Sequence, residues 1–342
     1  MHMVFNNGRD GLNGCKAGLF STGCTMVIEP KFDRAFNFQE GLAPVEKAGR
    51  WGFIDLKGRT AIGLQFENAS AFQEGLAPVK VDNRWGFICR AGNMAIAPQY
   101  DEVFHFQEGL ALFQEGGRWG YLNQSGDIII EPRFIHAGLF SQGLAAVTIH
   151  QNWGYIDKKG IMAIEAVFDK ALPFQEGSAP VMIKGRWGFI DPTGKMIVEP
   201  QFQRVSAFQE GAARVQVDGK WGVIDQTGTT LIEPQIRVPM SFHESLLRFQ
   251  EGLAPVIMDG KYGFLDKKGT VVVDPQYDMV LPFQEGLSPV EVKGRWGYIN
   301  KTAKMVIDPQ FDSCLCFQEG LAPVEIKGRW GYIRANHHGK RR

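Results

Sequence analysis

Apolar and polar residues alternate with a period of two over short stretches of this chain, and turn residues bound each stretch. In the segment beginning at Phe283, Leu287 to Val292 alternates so that Val290 and Val292 share one face, as in a half-buried strand. Lys293-Gly294-Arg295 is a short turn, and the aromatic-rich Trp296 to Asn300 reads as a second strand. After another tight turn, Met305 to Ile307 forms a third apolar strand that stops at Pro309. No run of ten residues in the unit has helical spacing, so it is read as an antiparallel β-meander and the chain as all-β.

The meander is repeated. An aromatic-glycine pair recurs nine times, with its aromatic at Trp51, Trp85, Trp119, Trp153, Trp187, Trp221, Tyr262, Trp296 and Trp330. The step is 34 residues throughout except for the 41 between Trp221 and Tyr262. A fixed period of this length marks one supersecondary unit copied in tandem. Four residues after the aromatic, Asp or Asn stands in seven units, and three residues later come Gly58, Gly92, Gly126, Gly160, Gly194, Gly228 and Gly269. That pairing predicts a type I turn followed by a residue with positive φ. Ala303 departs from the glycine pattern.

A second block, Phe-Gln-Glu-Gly, starts at Phe38, Phe72, Phe106, Phe174, Phe208, Phe249, Phe283 and Phe317, with Phe140-Ser141-Gln142-Gly143 as its variant. Each unit carries about four aromatic rings, more than one 34-residue meander buries alone, so units must stack. The rings are therefore read as a shared core, with an exposed ladder that stacks on sugars as the sharper alternative. One acid in the Phe-Gln-Glu-Gly block and one base before the aromatic recur in most units, a ladder of ion pairs or turn hydrogen bonds rather than catalytic groups.

These units predict residues 1–37 as a degenerate N-terminal repeat or cap, 38–335 as the array, and 336–342 as a basic tail. Units start near 38, 72, 106, 140, 174, 208, 249, 283 and 317. Propellers use 4–8 blades of four strands, and roughly ten three-stranded units fit that poorly. The expectation is an open, curved solenoid of about ten meanders, with a closed propeller-like ring as the alternative.

The lattice resembles the bacterial WG-repeat (KWG) family. The resemblance rests on Gly-Arg-Trp-Gly-Phe-Ile-Asp at 49–55, Lys-Trp-Gly-Val-Ile-Asp at 220–225 and Phe-Gln-Glu-Gly-Leu-Ala-Pro-Val at 317–324. It covers about residues 17–334, with Tyr262 and Ala17 as departures from the Trp pattern. The resemblance implies a β-rich repeat that mediates binding, and it supplies no catalytic residues.

Charge narrows the partners. Lys+Arg and Asp+Glu number 37 each, and this balance argues against a nucleic-acid or anionic-membrane binder. No apolar run approaches the roughly 18–20 residues of a membrane span. No secretory signal is visible at the start, so the default expectation is a soluble, cytoplasmic protein. The five cysteines are not a disulfide framework. Cys314-Leu315-Cys316 places two thiols on one side of an extended segment, as apolar filler or as a soft-metal or redox pair. The histidines show no ligand spacing, and no phosphate loop, nucleophile motif, metal site or cofactor site emerges.

The expected function is a non-catalytic interaction scaffold that binds a protein partner through an extended β surface. Carbohydrate or cell-envelope recognition through the repeated rings is the alternative. The seven extra residues fall within 235–248, where an irregular loop carrying Arg237, His243 and Glu244 is a candidate binding loop.

Overall fold

A computed structural model of the chain describes residues 23–236 and 249–336. The three-stranded meanders form as the alternation predicts. In the first, Leu42–Lys47 pairs antiparallel with Arg50–Asp55, which pairs with Thr60–Phe66. Ala48 and Gly49 between the first two strands both have positive φ (53° and 74°), the two-residue hairpin geometry whose twist matches its strands. In the next turn the Asp55 carboxylate accepts the N–H groups of Lys57 and Arg59, each at 2.9 Å, and Gly58 sits at φ 75°.

The glycine of each aromatic-glycine pair has a different cause. The third meander strand bulges opposite it, because Phe53 pairs with Ile62 while Trp51 pairs with Phe66. A methyl group on Gly52 would lie 2.6 Å from the carbonyl oxygens of Ile62 and Gly63. On Gly188 it would lie 2.4 Å from that of Val198. The constraint is a close backbone approach at a bulge, not a left-handed φ.

Six of the nine sheets carry, in chain order, a two-residue or longer strand ahead of the meander and are four-stranded, as with Arg34–Ala35 before Leu42–Lys47. In the sheet of Ala145–Ile149 a single bridge, Ala137 to Val147, takes that place. These leading strands are too short to carry a readable alternation. They turn a 34-residue meander into a propeller blade.

The array closes. The ninth sheet runs Ser313–Cys314, Ala322–Ile326, Arg329–Ala335 and then Cys24–Phe32, so a strand from the beginning of the chain completes the last blade. A methyl on Gly331 would lie 2.4 Å from the Ile28 carbonyl, the same bulge contact every other blade makes within itself. The expectation of an open solenoid of about ten units is therefore overturned. The molecule is a ring of nine blades, the alternative, and the third strand missing after Trp330 is supplied by Cys24–Phe32. A closed ring leaves no terminal blade exposed to end-to-end pairing.

Three sets of contacts recur between neighbouring blades, and all three run through the seam. Buried rings pair at centroid distances near 5 Å, as Phe53 with Phe72 (5.0 Å) and Tyr121 with Phe140 (4.8 Å), and Tyr332 meets Phe38 at 4.9 Å across the closure. Tyr155 and Tyr298 donate their hydroxyls to the next blade's Leu172 and Leu315 carbonyls, and Tyr332 to that of Phe36. The seam core accordingly mixes Ile28, Phe32 and Phe38 with Leu321 and Tyr332.

The second set is a ring of carboxylates. Glu40 accepts the N–H of Gly75, Glu74 that of Gly109, Glu108 that of Gly143, and so on to Glu319, which accepts the N–H of Gly41. Gln142 substitutes at the variant block by accepting from Gly177, and Glu210 reaches Gly252 across the seven-residue insertion. Sheets stacked face to face lie about 10 Å apart, too far for one side chain to link equivalent turns. In splayed blades only the axial side is closer, so these turns and the leading strands face the axis. The third set lies at the opposite end of the sheets. Arg84, Arg295 and Arg329 pair with Asp101, Asp312 and Asp33 at the crossovers between blades. The recurring acid and base thus belong to two separate ladders.

Within this ring Glu108 sets an acid limit. Burial favours protonation of Glu108, but the N–H groups of Gly143 and Gln142 and the Lys158 ammonium outweigh it and hold its pKa below the usual value. A folded value below the unfolded one contributes stability that is complete above about pH 4 and is lost as the pH falls through the folded value. Glu108→Gln should therefore lower the melting midpoint near neutrality and narrow the difference between pH 7 and pH 3. An acid limb as steep as wild type in calorimetry would contradict this.

Candidate functional site

Each aromatic of the repeat is the second residue of the second meander strand, and in some blades the residue fifteen positions earlier stands beside it. Phe36 stacks on Trp51 at 5.5 Å and 13°, and Phe104 meets Trp119 at 5.6 Å. In other blades the cover changes. His136 stacks on Trp153 at 6.0 Å, Leu172 packs with Trp187, and the Arg214 guanidinium lies over Trp221 at 5.2 Å. At Trp85 the equivalent position is Ser70, whose side chain is too short to cover an indole.

The result is a cleft of about 590 Å³ spanning three blades. Phe36 and Phe104 line it and are 47% and 40% exposed, whereas the other Phe side chains among the described residues are core. Trp51, Trp85 and Pro78 also line it, and Arg34, Asn37, Gln39, Asn68, Ser70 and His105 supply polar groups. Asn37 is committed to the Cys316 carbonyl at 3.0 Å, and Arg34 faces Glu46 at 3.3 Å. Burial lowers the His105 pKa, partly opposed by Glu74, so the imidazole is neutral at pH 7. Apolar walls with a few polar groups suit an uncharged, ring-shaped ligand.

The aromatics and turn glycines singled out from the sequence belong to the framework. Trp51, Trp187 and Trp221 are buried, while Trp85, Trp119, Trp153, Tyr262, Trp296 and Trp330 are half-buried. Gly58, Gly92, Gly126, Gly160, Gly194, Gly228 and Gly269 occupy turns at φ 75° to 87°, and Ala303 takes φ 60° at the same place. Arg237, His243 and Glu244 lie outside the described residues. Phe36, Ser70 and Phe104 were not singled out. Their signal is a single variable column fifteen residues before the aromatic, in a lattice where most columns are constant.

A family profile described as "WG containing repeat" matches nine consecutive segments, 25–51, 51–85, 85–119, 119–152, 153–187, 187–221, 221–262, 262–296 and 296–330. The chain belongs to the WG repeat family. Among curated proteins, none matches it in sequence. The WG repeat ring is similar in fold to a crystal structure of the eukaryotic initiation factor, at a TM-score of 0.58 and 12% identity over 85% of this chain and 88% of that one. Weaker likenesses include Kluyveromyces lactis Hsv2p (TM-score 0.39, 8% identity, 81% of this chain and 97% of that one). The Neurospora crassa Pan2 WD40 domain gives a TM-score of 0.37 and 12% identity over 94% and 98%.

Cys24, Cys314 and Cys316 of this WG repeat protein sit in its packing. Burial pushes the Cys24 thiol up to about 11 and Cys316 up to about 12, and raises Cys314 further. Burial that favours the neutral thiol suits the apolar-filler reading of Cys314 and Cys316. Among the described residues no group of three or more His, Cys, Asp or Glu could hold a metal ion, and no helix is long and apolar enough to cross a membrane.

Proposed function

We propose that this WG repeat ring is a non-catalytic binding module that receives a saccharide in the cleft beside Trp85. The observation that supports this reading best is the cleft itself, where short Ser70 stands beside half-buried Trp85 between two exposed phenylalanines. Aromatic faces stack on the C–H faces of a sugar ring, and the amide, hydroxyl and imidazole groups of Asn68, Gln39, Ser70 and His105 suit its hydroxyls. The open array's extended surface, on which the protein-scaffold expectation relied, is replaced by a ring with a bounded cleft.

A protein partner is the second reading, since propellers commonly bind proteins and Phe36 and Phe104 are suitable aromatic anchors. An array of neutral oligosaccharides of glucose, mannose, galactose and N-acetylglucosamine separates the two. Binding is expected on at least one sugar class, lost in Ser70→Phe and reduced at least tenfold in Phe104→Ala, with both variants melting close to wild type. Absence of binding across the array, or binding that Ser70→Phe leaves intact, would overturn the saccharide reading.

A further inference from the structure

In six blades the residue five places after the repeat aromatic, in the turn before the third meander strand, reaches back to the ring carboxylate of the preceding blade. Lys158 donates to the Glu108 carbonyl at 2.9 Å and lies 3.2 Å from its carboxylate, and Lys301 meets the same two groups of Glu251 at 3.0 and 2.9 Å. Lys267 makes both contacts with Glu210. Gln124 and Gln226 offer amides to Glu74 and Glu176, and Arg90 faces the Glu40 carboxylate at 3.7 Å. The carbonyl and carboxylate of one glutamate thus form an acceptor pair that an ammonium satisfies with two of its three N–H groups.

Closure of the ring removes this turn from the last blade. Its second meander strand ends at Ala335, and its third, Cys24–Phe32, comes from the other end of the chain. Ala335 therefore stands where the lysines stand, and its methyl cannot reach the preceding carboxylate, Glu285. Glu285 is built like its counterparts. Its φ is 54°, as at Glu108 and Glu251, and its carboxylate accepts the Gly320 N–H at 3.0 Å. Among the described residues that is the carboxylate's one hydrogen bond, and Glu285 is exposed where Glu108, Glu210 and Glu251 are half-buried. It borders a cavity of about 560 Å³ at the seam, with Leu287, Met305 and Val306 as apolar lining. Asp308 and Lys304 are the other charged groups there, so the cavity carries one net negative charge.

We propose that this seam cavity binds a primary ammonium on an alkyl chain, a lysine side chain above all, through the Glu285 carbonyl and carboxylate. The protein itself supplies the template, since Lys158, Lys267 and Lys301 are held in this way in three other blades. Leu287, Met305 and Val306 accommodate the methylene stem, as apolar surface does for lysine elsewhere. A guanidinium fits less well, because Arg90 meets only the carboxylate of Glu40, and at the longer distance. The ammonium has two sources. One is Lys340 of the chain itself, four residues after Asn336, which also lines the cavity. The other is a lysine of a separate molecule.

The test follows the Met305 methyl signal by nuclear magnetic resonance on the intact chain, assigned with Met305→Leu. The probe is the peptide acetyl-Gly-Lys-Gly-amide, and its Nε-acetylated form is the control. The free amine should shift the signal saturably and the acetylated form should not. Glu285→Gln should weaken binding at least tenfold while the ring stays folded, because Gln142 already accepts the Gly177 N–H at the equivalent place. Ala335→Lys, which brings an ammonium from within, should prevent binding. The same titration on Lys340→Ala separates the sources: binding in wild type leaves the cavity open to outside lysines, and binding only in Lys340→Ala identifies the chain's own lysine as the occupant. A signal that moves in neither chain, that moves equally with the acetylated peptide, or that Glu285→Gln leaves unchanged would overturn the proposal.

Discussion

Gly331→Ala is expected to destabilise the ring by about 3 kcal/mol or more, at the upper end of what overpacking costs. The added methyl would lie 2.4 Å from the Ile28 carbonyl oxygen and 2.8 Å from the Pro30 nitrogen, and both are backbone atoms. Neither can rotate away, so the strand Cys24–Phe32 must shift off the last blade. Gly63→Ala is the control, because its methyl meets nothing within 4 Å and its φ is ordinary for an L-residue. That change should lie within about 0.5 kcal/mol of wild type or stabilise slightly. Urea midpoints measure both, and limited proteolysis of Gly331→Ala should cut first near the displaced strand. Equal midpoints for the two variants would contradict the closure contact.

Phe38→Ala carries the second large effect, about 3–5 kcal/mol for a fully buried ring. Phe38 is 0% exposed and meets Tyr332 at 4.9 Å, so its loss leaves a cavity between the first blade and the last. Phe208→Ala removes an equally buried ring that meets Phe189 at 4.8 Å within the continuous part of the chain. Similar losses in the two variants would mean that the seam packs like any other blade junction. A loss under about 1 kcal/mol for Phe38→Ala alone, the range of ordinary surface changes, would mean the first and last blades are not in contact.

Much of this architecture was legible because it repeats. The alternation at Leu287 to Val292, the turn glycines and the nine aromatic-glycine pairs together specify the meander. Closure was harder to read. Leading strands such as Arg34–Ala35 are two residues long and carry no period, so a four-stranded blade looked three-stranded. Met26 to Phe32 matched later third strands in sequence, yet sequence similarity does not say which blade a strand joins. The pairing of Thr25 with Arg334 is set by the return of the ring, a long-range property.

The cleft was missed for a related reason. The recurring residues mark the framework, whereas Ser70 matters because it departs from its neighbours Phe36 and Phe104 in a column that varies from blade to blade. The reason glycine follows every tryptophan was also out of reach, since the bulge pressing on Gly52 or Gly188 exists only once the third strand is in place.

Ring closure is tested most directly by a distance between the two ends. Nitroxide labels on Thr25→Cys and Arg334→Cys, in a background without the five native cysteines, sit on paired residues of the last blade. Pulsed electron paramagnetic resonance should then give a separation within about 20 Å, a paired-strand spacing of roughly 5 Å plus two label arms. An open array of nine sheets stacked about 10 Å apart would hold the labels on the order of 80 Å from each other, and that result would contradict the closed ring.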